Sequence, residues 1–119
     1  MPNEADLARY RANLQDERDS ATLYRALAGA EKDAHLAEIY RRLADVEDRH
    51  AARWEDYVRQ GGAVVPPYTP GWRTRMLARL AGWVGAASVL PMVTSMEMSA
   101  SHSYDDQPEA AAAGMPAEE

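Results

Sequence analysis

Glu47 and His50 are the residues of this sequence whose types and spacing most directly suggest chemistry. Because they are three positions apart, a helix would project both side chains from one face, about one turn apart, where they could hold the same metal ion. A Glu-x-x-His pattern is common by chance, so its meaning depends on the residues around it. A further carboxylate, Glu17, lies upstream in a similar apolar context. The three residues together indicate a metal site.

The composition narrows the chemistry that such a site can perform. The 119 residues include no Cys, which excludes disulfides and thiolate metal ligands, so carboxylate and imidazole groups must hold any metal. These ligands suit iron, manganese or zinc. A formal net charge of −6 argues against a nucleic-acid partner and favours the attraction of cations. We therefore expect a metal-binding protein with no nucleic-acid partner.

The composition also indicates an all-α protein. Alanine, leucine, glutamate and arginine dominate, and β-branched residues are sparse before residue 63. Asn3 and Asp33 can each cap a helix, which predicts an antiparallel helical hairpin over residues about 4–60. The second helix of this hairpin should extend from about Ala34 to Gln60, where two glycines follow.

Each long predicted helix carries an apolar stripe that contains the candidate ligands. The first stripe repeats at intervals of three and four residues and consists of Leu7, Tyr10, Leu14, Glu17, Ala21, Tyr24 and Ala28. The second repeats in the same way and consists of Leu36, Tyr40, Leu43, Glu47, His50, Trp54 and Tyr57. Because such stripes face the core, we expect Glu17, Glu47 and His50 to be buried. Asp16, Arg18 and Asp19 lie off the stripe and are expected in solvent.

Two shorter helices are predicted after the hairpin. A connector over residues 63–70 contains three prolines and should cross the hairpin in an extended conformation. Thr69 and Pro70 should begin the third helix, which should end near Val84. Ser88 should cap a fourth helix that ends near Tyr104.

These elements are expected to form one domain over residues 1–104, followed by a poorly ordered tail or the truncated start of a further helix over residues 105–119. The longest uncharged run, residues 80–96, contains a proline and is shorter than the roughly 20 residues needed to span a bilayer. The N-terminus does not have the pattern of a signal peptide. These features predict a cytoplasmic protein.

A carboxylate on a core stripe requires an explanation, because a lone buried charge is destabilising unless it is paired, protonated or bound to metal. Metal binding by Glu47 and His50 is one explanation, and a metal-free pair of Glu47 with His50 or with an arginine is the alternative. Glu97 lies on the stripe of the fourth predicted helix, but serines flank it, so a ligand and a structural role are both open. His35 and His102 lie off the stripes and are expected in solvent.

The segments around these residues resemble a known family. LQDERD at 14–19 and LADVEDRHA at 43–51 are similar to the ligand helices of rubrerythrin-type ferritin-like domains. Residues 89–104 resemble the erythrin domain that is fused to vacuolar-iron-transporter-like membrane proteins, and the resemblance covers most of residues 5–104. It implies a four-helix bundle with a di-iron centre that oxidises ferrous iron with O2 or peroxide. In such bundles two helices each give a Glu and two each give Glu-x-x-His.

The resemblance assigns Glu17, Glu47, His50 and Glu97 as metal ligands, the first three with a catalytic role. The sequence lacks the second Glu-x-x-His and the transporter segment, so either the chain is a fragment or another subunit completes the site. The spacing of Glu17 and Glu47 is also similar to that in encapsulated ferritins, whose site forms across a dimer interface. A symmetric homodimer, or a higher homo-oligomer, would bring four Glu and two His together and complete the four-helix bundle.

The sequence therefore leaves two functional hypotheses open. The first is a di-iron carboxylate protein of the ferroxidase or peroxidase type that acts in iron homeostasis. The second is a non-catalytic metal-sensing or dimerisation module that regulates a membrane iron or manganese transporter, or an encapsulin iron-storage shell. In the transporter-linked form the protein would lie at the cytoplasmic face of a membrane.

Overall fold

The computed structural model describes the backbone of residues 2–105 and the side chains as far as residue 95. These residues form four α-helices and no β-strand. The helices are α1 (Glu4–Ala30), α2 (Ala34–Gln60), α3 (Trp72–Val84) and α4 (Ala86–Asp105). The predicted all-α class is confirmed. Within the described residues, no helix is both long and apolar enough to cross a bilayer.

Both predicted caps of the hairpin are confirmed. The Asn3 side chain accepts a hydrogen bond of 2.8 Å from the backbone N–H of Asp6, whose carboxylate accepts one of 3.1 Å from the Asn3 N–H. This reciprocal pair satisfies donors that the first turn of a helix leaves open. Asp33 caps α2 in the same way, by accepting hydrogen bonds from the N–H groups of His35 and Leu36.

Two apolar clusters hold α1 and α2 together as an antiparallel pair. The Trp54 cluster joins the start of α1 to the end of α2 and consists of Tyr10, Leu14, Ala51, Trp54 and Val58. The Leu27 cluster joins the end of α1 to the start of α2 and to α3 and α4, and it consists of Leu23, Tyr24, Leu27, Ala28, Tyr40, Ala44, Leu77, Ala81, Ala86, Val89 and Val93. The middle of the hairpin, where the candidate ligands lie, is therefore enclosed between two apolar clusters.

The buried face of α2 is displaced by about one position from the predicted stripe. Leu36 was expected in the core but is 42% exposed, and Leu43 and Tyr57 are only partly buried. Four small residues spaced seven apart are buried instead, namely Ala37, Ala44, Ala51 and Val58. Small side chains allow the two helix backbones to approach closely, so the contact follows them rather than the larger residues beside them.

The connector between α2 and α3 is fastened to the side of α1. The Gln15 side chain donates to the Thr69 carbonyl at 2.9 Å, and the Arg18 guanidinium donates to the Pro66 carbonyl at 2.8 Å. The Tyr68 hydroxyl donates to Asp19 at 2.8 Å, and burial raises the pKa of this hydroxyl to about 12. The expectation that Arg18 and Asp19 are merely solvated is therefore wrong, because both hold the connector in place.

The predicted starts of the two shorter helices are also corrected. Thr69 and Pro70 lie outside α3, which begins at Trp72 after the extended residue Gly71. The Gly71 N–H donates to Asp19 at 3.2 Å, and this contact keeps the chain extended up to Gly71. Ser88 lies inside α4 rather than at its cap, because Gly85, with a φ of +91°, turns the chain three residues earlier. At this φ, glycine is strongly favoured.

Candidate metal centre

The candidate ligands predicted from the two stripes meet inside the hairpin. Glu17 lies in the middle of α1. Glu47 and His50 lie about one turn apart on α2, which packs against α1. Their exposed fractions are 2%, 3% and 0%. The prediction that these three polar residues are buried is confirmed. The three-residue spacing places Glu47 and His50 on the same face of α2, and Glu17 of α1 meets them there.

The donor atoms of the three side chains converge on a small volume. His50 Nδ1 lies 3.3 Å from Glu17 Oε2 and 3.9 Å from Glu47 Oε2. One potential ligand atom from each residue lies within 4.8 Å of the other two. The described residues therefore contain a buried group of two carboxylates and one imidazole that belongs to two different helices.

These distances can be compared with the spacing of ligands around a metal ion. Bonds from nitrogen and carboxylate oxygen to Zn²⁺ are about 2.0–2.2 Å, so two ligand atoms on one ion are about 3.4 Å apart in a tetrahedral site. The same bonds place opposed ligand atoms about 4.2 Å apart. The separation of 3.3 Å is close to the tetrahedral value, and that of 3.9 Å lies between the two values. These two distances are compatible with ligands on one ion, and the remaining pair of ligand atoms, from Glu17 and Glu47, lies within 4.8 Å.

The charge of the donor set also fits a divalent cation. Metal-binding carboxylates are ionised and a metal-binding imidazole is neutral, so Glu17, Glu47 and His50 together carry a formal charge of −2 in the binding state. A divalent ion would neutralise that charge where all three side chains are buried. Carboxylate and imidazole ligands without thiolate are suited to iron, manganese and zinc.

Buried aromatic residues lie farther along the helices in both directions from the group. Trp54 lies one turn beyond His50 on α2, is fully buried, and contacts Tyr10 with ring centroids 5.8 Å apart. On the other side, Tyr24 and Tyr40 are buried in the Leu27 cluster. Burial and the nearby charge of Glu31 raise the pKa of Tyr40 above its usual value.

Asp48, which follows the candidate ligand Glu47 on α2, points away from the site. The Asp48 carboxylate is half exposed and pairs with the Arg25 guanidinium on the outer side of the hairpin. Hydrogen bonding to Asp48 raises the pKa of Arg25 above its ordinary value. Asp48 is adjacent to Glu47 in sequence but is engaged elsewhere, which makes it a matched control for substitutions of the ligands.

One buried polar residue near the group was not predicted. Asn13 is 3% exposed on α1, one turn before Glu17. The predicted stripe omitted it because the stripe passes through the adjacent residue, Leu14. Its position four residues before Glu17 places both side chains on one helix face, and this spacing was the available signal.

Two predictions stay untested, namely that Glu97 is a ligand and that His102 lies in solvent. Both residues belong to α4, but their side chains lie outside the described residues. The assignment of Glu97 as a ligand is therefore still a prediction. His35 is exposed, as expected from its position off the stripe.

Comparison with known proteins provides no independent assignment. No family model, no curated protein and no solved structure matches this chain. The resemblance of the ligand segments to rubrerythrin-type domains therefore stays a prediction, and the functional case rests on the geometry of Glu17, Glu47 and His50.

Proposed function

We propose that Glu17, Glu47 and His50 bind metal as part of a ferritin-like di-iron carboxylate centre that binds and oxidises ferrous iron. The observation that carries this proposal is the convergence of two carboxylates and an imidazole, each less than 4% exposed, from two helices. The segment resemblance supports the choice of iron, and the donor set supports a divalent metal in general. O2 or peroxide is the proposed oxidant.

Each ligand has a distinct task in this proposal. Glu17 and Glu47 supply anionic oxygen from opposite helices, so the ion also joins α1 to α2. His50 presents Nδ1 to both carboxylates and must be neutral to bind. Bound iron would supply one-electron redox chemistry. Two ferrous ions, each oxidised to the ferric state, would supply the two electrons that, with two protons, reduce one hydrogen peroxide to two water molecules or one O2 to hydrogen peroxide.

Three protein ligands suffice for one ion with positions left for the oxidant. A di-iron centre needs more ligands, which we assign to Glu97 or to a second copy of the chain. Because the three ligand side chains are already buried within one chain, a second copy could contribute only if part of the surrounding chain moves aside. Metal content per chain, measured together with molar mass by light scattering, tests this part. Two ions per chain in a monomer would contradict completion by a second copy.

Anaerobic loading followed by exposure to oxygen tests the catalytic part. We expect protein loaded with ferrous iron to develop ferric absorbance faster than iron in buffer. Glu47→Gln and His50→Gln should abolish the difference, because each removes a ligand from a set of three. Asp48→Asn should retain it, because Asp48 pairs with Arg25 outside the site. Oxidation no faster than in buffer would exclude the ferroxidase function.

The burial of the ligands also favours a second function. Side chains at 0–3% exposure suit an ion that is retained rather than one that is turned over. A metal-sensing or dimerisation module that regulates a transporter or a storage shell would use the site in this way. Tight metal binding without accelerated oxidation, accompanied by a metal-dependent change in molar mass, would favour this module over the oxidase.

A further inference from the structure

The outer face of α3 exposes large apolar side chains to solvent. Trp72, Met76 and Trp83 are 63%, 52% and 86% exposed. Their spacing places them on one side of the helix, opposite Leu77 and Ala81, which are buried in the Leu27 cluster. A shallow groove of about 510 Å³ lies on this outer side. We call the surface that lines this groove the Trp face. It consists of Trp72, Arg75, Met76, Arg79, Leu80 and Trp83.

The same face is basic in an acidic chain. No Asp or Glu occurs from residue 58 to residue 96, and the charged residues of that stretch are Arg59, Arg73, Arg75 and Arg79. The whole chain has a formal net charge of −6, so the remainder is more acidic still. The charges of the sequence are therefore segregated, with a purely basic stretch that includes α3 and a net negative charge over the other residues taken together.

This combination fits an anionic lipid surface. Tryptophan prefers the headgroup level of a bilayer, where its ring is apolar and its N–H is hydrated. Arginine binds lipid phosphates through its planar fork and places its aliphatic stem against the apolar boundary. A helix with both groups on its outer side lies in the plane of the membrane rather than across it. The length of α3, 13 residues, gives a contact line of about 20 Å.

We propose that the Trp face of α3 docks the protein onto a bilayer that contains anionic lipids. Charge segregation sets the orientation, because the acidic remainder of the chain is repelled by the same surface that attracts Arg75 and Arg79. Trp72 and Trp83 then insert at the headgroup level from the two ends of the helix. The inference does not depend on the metal site, since none of these residues is a candidate ligand.

Flotation with lipid vesicles tests the proposal on the full chain. We expect binding to vesicles of equal parts phosphatidylcholine and phosphatidylglycerol, with a blue shift of tryptophan fluorescence, and no binding to phosphatidylcholine alone. Salt should weaken the interaction. The double variant Arg75→Glu/Arg79→Glu should weaken it by at least about 25-fold, since each basic residue near such a surface contributes about fivefold. Trp72→Ser/Trp83→Ser should weaken it by at least about tenfold.

The matched control is Arg42→Glu/Arg49→Glu. It changes the net charge by the same amount but at two exposed positions of α2, neither of which belongs to the Trp face. It should leave vesicle binding unchanged. All substituted residues are exposed, and circular dichroism confirms that each variant folds before it is compared.

Three results would overturn the proposal. They are absence of binding to the anionic vesicles, equal binding by the α3 variants and the wild type, and equal weakening by the α2 control. A concentration-dependent dimer that the tryptophan substitutions dissolve, with no vesicle binding, would also overturn it and would identify the Trp face as a contact between copies.

Discussion

The substitution Glu47→Gln keeps the size of this buried side chain in the middle of the hairpin but removes its charge. Without metal, Glu47 Oε2 lies 3.9 Å from His50 Nδ1, and a donor oxygen of Glu17 lies within 4.8 Å. At an effective dielectric constant of about 20, attraction to a protonated His50 contributes about 4 kcal/mol and repulsion from ionised Glu17 at least about 3.5 kcal/mol. Because the repulsion is at least comparable with the attraction, the two terms together give Glu47 no large net stabilisation, and the cost of burying its charge decides the outcome.

We therefore expect Glu47→Gln to unfold at the same temperature as the wild type, or higher, when metal is absent, because a buried charge is removed. When metal is bound, we expect the wild type to unfold at a higher temperature than Glu47→Gln. An ion at about 100 times its dissociation constant stabilises the wild type by about 2.7 kcal/mol. For a chain of this size that corresponds to roughly 10 °C in the unfolding midpoint. The variant lacks one of three ligands and should gain much less.

Thermal unfolding followed by far-ultraviolet circular dichroism gives the unfolding midpoints of both proteins. The measurement is made with and without Mn²⁺ or anaerobic Fe²⁺. Asp48→Asn is the control, because it breaks an exposed ion pair with Arg25 that contributes at most about 1 kcal/mol in either state. A Glu47→Gln protein that is less stable than the wild type without metal, and that responds to metal as the wild type does, would refute the reasoning. Glu47 would then be a structural partner of His50.

Three further substitutions test the framework that positions the site, each by chemical denaturation. Tyr68→Phe removes the hydroxyl that donates to Asp19 and should cost about 1–2 kcal/mol of unfolding free energy, whereas unchanged stability would contradict the fastening of the connector. Trp54→Ala removes a fully buried ring and should cost about 3–5 kcal/mol, so a loss below 1 kcal/mol would contradict its packing role. Gly85→Ala should cost about 1–3 kcal/mol through its φ of +91° alone, because no neighbouring atom would contact the new methyl group.

Local signals explain why the hairpin was predictable from the sequence. Asp33 marks the start of α2 through its own side-chain hydrogen bonds, and Gly61 and Gly62 mark its end, so the predicted bounds Ala34 and Gln60 agree with the structure. The starts of the later helices depended instead on distant contacts. Residues 69–71 stay extended because Gln15 and Asp19 hold them, from 54 and 52 positions away in the sequence.

The same distinction applies to the candidate site. The burial of Glu17, Glu47 and His50 was predictable because each replaces an apolar residue in a periodic stripe. The exposure of Leu36 was not, because two competing faces of α2 had similar periodicity and the small residues decided the contact. The convergence of the donor atoms depends on the relative axial position of α1 and α2, which periodicity within one helix does not specify.

A crystal structure of protein loaded anaerobically with ferrous iron, with anomalous scattering recorded at the iron edge, tests the central claim most directly. We expect an anomalous peak inside the hairpin, within about 2.0–2.3 Å of carboxylate oxygens of Glu17 and Glu47 and of the His50 imidazole. The same map would show whether Glu97 or a second copy adds ligands. Iron bound only at surface carboxylates, with Glu17, Glu47 and His50 in direct contact with one another, would contradict the claim.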